Sequence, residues 1–310
     1  MKILATGAAG FIASNVADLL MANGHEVVII DDLSSGKEKN VNPKAVFHKM
    51  DIRAPALEGV VKEHRPDCII HHAAHIYVRE SVERPLHDAE INILGSIRLI
   101  EYARRYGVAK FIYVSTGGAV YGEPEYLPCD EKHPVNPLCP YGASKHAPEH
   151  YLFMYRQNYG LNYTVLRYPN VYGPRQDPHG EAGVVAIFTG RMLRGEDVTI
   201  NGTGEQERDY LYVGDVAEAN LLVLEPETGN GQIYNLGTGI GTSVNTLFEK
   251  LKAATGYRKN PIHGPAKLGE TFRIYLDAAK AKKELGWTPR VNLDEGLRLT
   301  VEYHRTHEGK

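Results

Sequence analysis

Tyr141 and Lys145 stand four residues apart in the segment Tyr141-Gly142-Ala143-Ser144-Lys145. Pro140 precedes them and suits the first position of a helix, so both side chains fall on one helical face. A tyrosine and a lysine so placed can form a proton-transfer pair. A free phenol ionises near ~10, too high for a base at neutral pH. An ammonium ~4 Å away, at an effective dielectric of ~20, favours the phenolate by ~4 kcal/mol. That is roughly three pKa units before desolvation opposes it. Tyr141 can then take the proton of a substrate hydroxyl. The other reading of Tyr141 is a structural aromatic at the start of a core helix. The same spacing recurs at Tyr106 and Lys110, but Gly107 reads as a helix stop and the run 111–114 as a strand, so that pair reads as a decoy.

The surrounding chain must hold such a pair in place. Short β-rich runs at 3–6, 27–31, 45–50, 68–71, 111–115 and 164–167 alternate with helical stretches at 11–23, 55–64, 88–106 and 143–159. This alternation predicts an α/β fold, a doubly wound parallel sheet with helices on both faces. The strand runs are apolar without alternation, as burial on both sides requires. Beyond Tyr168 the rhythm changes to turn-rich segments at 172–183 and 201–207 and amphipathic stretches at 244–254 and 278–285. A smaller C-terminal substrate-binding lobe is expected there. The division is 1–168 plus about 210–240 for the Rossmann-type unit, and about 169–209 plus 241–310 for the lobe. Pro148 interrupts the helix after Lys145, at a cost of about 3 kcal/mol unless the helix kinks or begins nearby, so its straightness is in doubt.

The first strand runs into Thr6-Gly7-Ala8-Ala9-Gly10-Phe11-Ile12-Ala13. Gly7 and Gly10 let backbone amides at a helix start, including those of Phe11 and Ile12, approach a pyrophosphate. Asp31 ends the second strand about twenty residues after this loop, where an acid holds the adenosine ribose hydroxyls and repels a 2′-phosphate. NAD is therefore favoured over NADP. Asp32 follows directly, and one of the two acids can be a solvated turn residue. Asp51 and Ile52 close the third strand, where the carboxylate either meets the adenine amino group or caps a turn.

With these pieces the chain resembles the extended short-chain dehydrogenase/reductases, most of all the UDP-glucose 4-epimerases. The matching segments include the glycine loop, Asp31-Asp32-Leu33-Ser34-Ser35-Gly36, His72-Ala73-Ala74, Tyr141-Gly142-Ala143-Ser144-Lys145, Leu166-Arg167-Tyr168-Pro169-Asn170-Val171-Tyr172-Gly173-Pro174-Arg175-Gln176 and Arg208-Asp209-Tyr210. Tyr234-Asn235-Leu236-Gly237 and Leu285-Gly286-Trp287 extend it over nearly the full length. Departures are Ala8 and Ala13 where glycine is usual, Pro169 for a customary phenylalanine, and Lys267 where an arginine commonly grips a diphosphate.

The resemblance implies bound NAD and a UDP-sugar substrate. It adds Ser35, Gly36, Ala73, Ala74, Asn92, Ser115, Tyr168 and Val171 to the cofactor contacts, with Lys145 also on the nicotinamide ribose. It places a hydroxyl at the end of the fifth strand, in Ser115-Thr116-Gly117-Gly118-Ala119, to bind the reacting group. Counting back from Tyr121-Gly122 lands on Gly117, so Thr116 is preferred with a one-residue shift and Ser115 is the fallback. On the substrate side it implies Thr116, Tyr141, Asn170, Val184, Thr199, Asn201, Arg208, Lys267 and Glu270. Related dehydratases carry an Asp-Glu pair after the Thr, and decarboxylases a nearby Glu. Glycine and alanine stand here, which fits inversion at one carbon through a 4-keto sugar. The alternatives are the same inversion on an N-acetylated or uronate sugar (Ile274 is smaller than the tyrosine of strict glucose enzymes), a dehydratase or decarboxylase, and a non-catalytic NAD sensor.

Composition excludes other classes. A net charge of -3 gives no reason to expect nucleic acid as a partner, and no apolar run approaches a membrane span. Cys68, Cys129 and Cys139 lack metal-type spacing and suit reduced thiols in a cytoplasmic protein. No metal is expected: His71, His72 and His75 bracket a strand end without an acidic partner close in sequence. A homodimer is expected, paired through 88–106 and 143–159 as in the family.

Overall fold

The computed structural model describes residues 1–178, 183–266 and 271–307. Its frame is a seven-stranded sheet: β1 (Lys2–Thr6), β2 (Glu26–Asp31), β3 (Val46–Lys49), β4 (Cys68–His71), β5 (Lys110–Thr116), β6 (Tyr163–Tyr168) and a last strand, Gln232–Asn235. The order across the sheet is Gln232–Asn235, β6, β5, β4, β1, β2, β3. Every pairing is parallel. The chain builds outward from β1 to β3, then crosses back to the other side of β1. The crevice at that reversal opens beyond the carboxyl ends of β1 and β4, where Thr6 and His71 are in register.

Both faces of the sheet are apolar. Ile3 and Ala5 of β1 pack with Val16 and Leu20 of the helix Phe11–Ala22 and with Val216 of the helix Val213–Leu222. Leu4 points the other way, to Val60, Leu99 and Leu152 on the helices of the opposite face. Successive residues of one strand thus enter two cores, and the strands read as continuous apolar runs.

The expected helix over 88–106 is longer and less regular: Pro85–Ala89, a π-helical segment Glu90–Gly95, then Ser96–Arg105. Pro85 supplies a first-turn residue that needs no amide partner. Gly95 lies against Ile52 so closely that a Cβ there would be 2.7 Å from Ile52 Cδ1. The helix Pro140–Tyr159 runs through Pro148 as one element and stops at Gly160, whose φ is +72°. Tyr106 and Lys110 part as expected: the Tyr106 hydroxyl donates to Glu58, while Lys110 Nζ donates to the carbonyls of Pro226 and Thr228.

In the second unit the helices Val184–Leu193, Val244–Thr255 and Leu293–His307 share a core of Phe188, Leu247, Phe248, Leu251, Leu297 and Val301. Glu207–Arg208 lies between Thr242–Ser243 and Arg273–Ile274, and Thr199–Asn201 pairs with Ile262–Gly264. Within 241–310, Ala281 and Trp287 return to the larger core, and Trp287 Nε1 donates to the Asp215 carbonyl at 3.0 Å.

Candidate active site

A cleft of ≈ 1520 Å³ runs from the glycine loop, past the carboxyl ends of β4 and β5, to the second unit. Gly7, Gly10, Phe11 and Ile12 line one end. Gly7 has φ +71°, and a Cβ on it would lie 2.7 Å from the amide nitrogen of Ala73, so only glycine lets the two loops cross this tightly. Gly10 starts the helix Phe11–Ala22 without a side-chain cap and with no acid in the first turn. Its leading amides are thus left for an anion.

Asp31 is buried, its carboxylate accepting from Ala9 N at 2.9 Å and Leu33 N at 2.8 Å. Burial raises its pKa against these two bonds. Each oxygen keeps acceptor capacity toward the cleft, which Asp31 lines. Gly36 backs onto this carboxylate: a Cβ there would be 2.7 Å from Asp31 Oδ1. Asp32, the second acid, folds a local turn by accepting from Ser34 N and Oγ, and also faces the cleft with Ser35. Asp51 is engaged by Arg53 at 2.6 Å and caps its own turn through Arg53 N, so the turn-cap reading describes it. The bonds from Arg53 hold its carboxyl below the usual range. Ile52, Ala73 and Ala74 line the wall.

At the centre, Thr116, Tyr141 and Lys145 converge from β5 and the helix Pro140–Tyr159. The Thr116 hydroxyl lies near enough to the Tyr141 phenol to favour its ionised form. Ser115 is committed elsewhere: its Oγ donates to Glu149 Oε1 at 2.6 Å. A Cβ on Gly117 would sit 2.3 Å from Leu276 Cδ1, so position 117 has no room for a side chain. The geometry therefore favours Thr116 as the strand-end hydroxyl. Burial pushes the Tyr141 phenol up to about 12, against the opposing effect of the Thr116 hydroxyl. Burial also pushes Lys145 down to about 7, opposed by the charges of Glu149 and Asp88. The expected lowering of Tyr141 by Lys145 is thus reversed, because taking both groups out of water penalises phenolate and ammonium together.

Tyr168, Asn170 and Val171 follow β6 along the wall, and Val184, Thr199, Asn201 and Arg208 complete the far end. Arg208 donates to the carbonyls of Glu207 and Phe272 at 2.9 and 3.3 Å. Lys267 and Glu270 lie outside the described residues. Asn92 is not on the cleft wall: it is buried, exchanging bonds with His75 N and O and donating to Ser144 Oγ. Ile274 packs with Val120, Tyr121 and Leu276 in a buried cluster.

The match to known proteins follows this layout. The model of the NAD dependent epimerase/dehydratase family fits residues 3–237. This chain belongs to that family. The UDP-glucose 4-epimerase of Mycolicibacterium smegmatis is 46% identical over 310 residues, covering 98% of this chain and 99% of that protein. The crystal structure of the Thermotoga maritima UDP-glucose 4-epimerase with UDP-glucose superposes with a TM-score of 0.97 at 52% identity, covering 99% of each chain. That of the Thermus thermophilus enzyme with NAD gives 0.93 at 45% identity, covering 99% of this chain and 100% of that one. The family's cofactor fits the uncapped helix start and Asp31: the first offers amides to a pyrophosphate, the second acceptors to ribose hydroxyls.

Several family-site features escape the sequence reading. Arg191 lines the cleft together with Val184, Ile187 and Phe188, one face of the helix Val184–Leu193. Their spacing of three, four and seven residues is the signal that would have found it. Asp209 is buried and accepts from the amides of Thr238, Gly239 and Leu276, fixing the strand that carries Arg208. His71 is held between the Thr6 and Ser96 hydroxyls at 2.7 and 2.9 Å. Burial first, then the charge of Lys145, lowers His72 to about 3. His75 has acidic neighbours that its sequence context does not show.

Proposed function

We propose that this chain interconverts UDP-glucose and UDP-galactose by inversion at C4. The observation that carries it is the Thr116–Tyr141–Lys145 group, followed in sequence by Gly117, Gly118 and Ala119. When bound, oxidised NAD supplies a reversible hydride acceptor and a positive charge. Tyr141 removes the proton of the 4-hydroxyl and returns it, Thr116 holds that oxygen, and Lys145 stabilises the phenolate. Glycine and alanine after Thr116 leave out the acids that related dehydratases carry there to move protons at C5 and C6, which supports epimerisation over elimination. Arg208 and Arg191 supply cations for the diphosphate. The family relatives with UDP-glucose and NAD support the same assignment.

Incubation with UDP-galactose and NAD, without added metal and followed by NMR, is expected to give UDP-glucose with no keto sugar and no lost carbon. A keto product, or no conversion, would sink the assignment. The three thiols are free, in keeping with a cytoplasmic setting, and no helix among the described residues is long and apolar enough to cross a membrane.

We also propose a homodimer. Leu94, Phe153, Met154 and Tyr159 are exposed on two neighbouring helical runs, Glu90–Arg105 and Pro140–Tyr159. Apolar side chains gathered on adjoining helices suit a self-complementary interface. Light scattering at micromolar concentration should give twice the 34.4 kDa chain mass; a monomer would refute it.

A further inference from the structure

The cleft wall beside the reacting centre carries a second cluster. His75 follows β4, Glu80 lies in the short helix Val78–Glu83, and His87 in Pro85–Ala89. One ligand atom from each lies within 4.8 Å of the others, and among the described residues this is the one group of three or more such side chains. All three line the cleft.

The surroundings of His75 point to a ligand. The residue is 8% exposed, and its Nδ1 is hydrogen-bonded to the buried Asp88 at 3.2 Å. A ring that gives its Nδ1 proton to that carboxylate has Nε2 as its ligand atom. Nε2 is buried without a hydrogen bond, yet lies 3.2 Å from Glu80 Oε2. In the neutral ring this sets a lone pair against a carboxylate, and a metal ion in place of a second ring proton makes the contact attractive. Two N or O ligands ~2.0 Å from a tetrahedral metal stand about 3.3 Å apart, close to the separation seen. Arg84 holds the other Glu80 oxygen at 2.7 Å and so orients this carboxylate. His87, half-exposed, has the freedom to close the remaining gap. Asp88 on His75 is the carboxylate–histidine arrangement that supports metal-binding imidazoles.

We propose that His75 Nε2, Glu80 and His87 bind one divalent transition-metal ion of the zinc type, with Asp88 as a positioning residue and a fourth ligand position open to the cleft. The ion ties the loop after β4 to two short helices. Through Asn92, which bonds both His75 and Ser144, it braces the helix bearing Tyr141 and Lys145. The site stands whether or not the epimerase assignment holds.

The test is calorimetric titration of the metal-stripped full chain with zinc, alongside cobalt(II) loading read by visible absorption. One ion per chain, tetrahedral cobalt bands, a raised Tm, and at least about tenfold weaker binding in both Glu80→Gln and His87→Ala are expected. Both positions are partly exposed, and the metal-free Tm of each variant checks its fold. Absence of a stoichiometric ion at tens of micromolar zinc would overturn the site. So would unchanged affinity in either variant, since binding would then belong to histidine pairs such as His48–His64 or His146–His150.

Discussion

Replacing Tyr141 by Phe should lower kcat for UDP-galactose about a thousandfold, within the 10²–10⁴ range typical of a lost acid–base group, while KM moves only a few-fold. The substitution deletes one hydroxyl and keeps the ring, so Tm should hardly change. Burial holds Tyr141 up at about 12 and Lys145 down at about 7. The phenolate therefore needs positive charge gathered beside it in the working complex. Lys145 is the chain's own source, with its Nζ also over the Tyr113 ring at 4.6 Å. The base must be deprotonated, so the rate rises with pH through its pKa. Lys145→Met removes the charge that favours the phenolate and should move that acid limb to higher pH. Steady-state kinetics from pH 5 to about 9 measure both effects. Substantial turnover in Tyr141→Phe would remove the proton-transfer role, and an unmoved acid limb in Lys145→Met would remove the electrostatic one.

The centre of this site was legible because its key pair is local. Tyr141 and Lys145 share one helical turn, so spacing alone brings them together. Thr116 was less so: Ser115 and Thr116 end the same strand on opposite faces, and the sequence has no means of saying which face meets Tyr141. The structure favours Thr116 through Glu149, which takes up the Ser115 hydroxyl from 34 residues away. The inner strands announced themselves as apolar runs buried on both sides. The last strand, Gln232–Asn235, sits at the sheet edge with Gln232 and Ile233 only partly buried, and its short mixed pattern carries no such signal. Asp209 and the His75–Glu80–His87 group depend on contacts between separate elements, and no periodicity encodes them.

The largest expected stability effect lies at the buried pair behind Ser115. Arg167→Met should cost about 3–5 kcal/mol at neutral pH, because it leaves Glu149 charged and buried without its partner. Arg167 meets both Glu149 oxygens, at 3.1 and 2.5 Å, and donates to the Tyr121 hydroxyl, which in turn donates to Asn235. Burial alone would raise the Glu149 carboxyl, but the His146 ring 3.2 Å away and the bonds from Arg167 and Ser115 carry it down to about 2. Its folded pKa lies below the unfolded value of about 4.3, so its stabilisation is complete above that value and is lost as pH falls toward 2. In Arg167→Met burial wins and the folded pKa rises instead. That penalty is present at neutral pH and disappears once the carboxyl is protonated in both states. The gap between wild type and variant should therefore narrow from pH 7 to pH 4, as urea unfolding of the cofactor-free protein would measure. Adding Glu149→Met should recover part of the loss, since an apolar pair leaves no buried charge. A double variant no more stable than the single, with a gap that ignores pH, would mean that packing around Arg167 matters here and its charge does not.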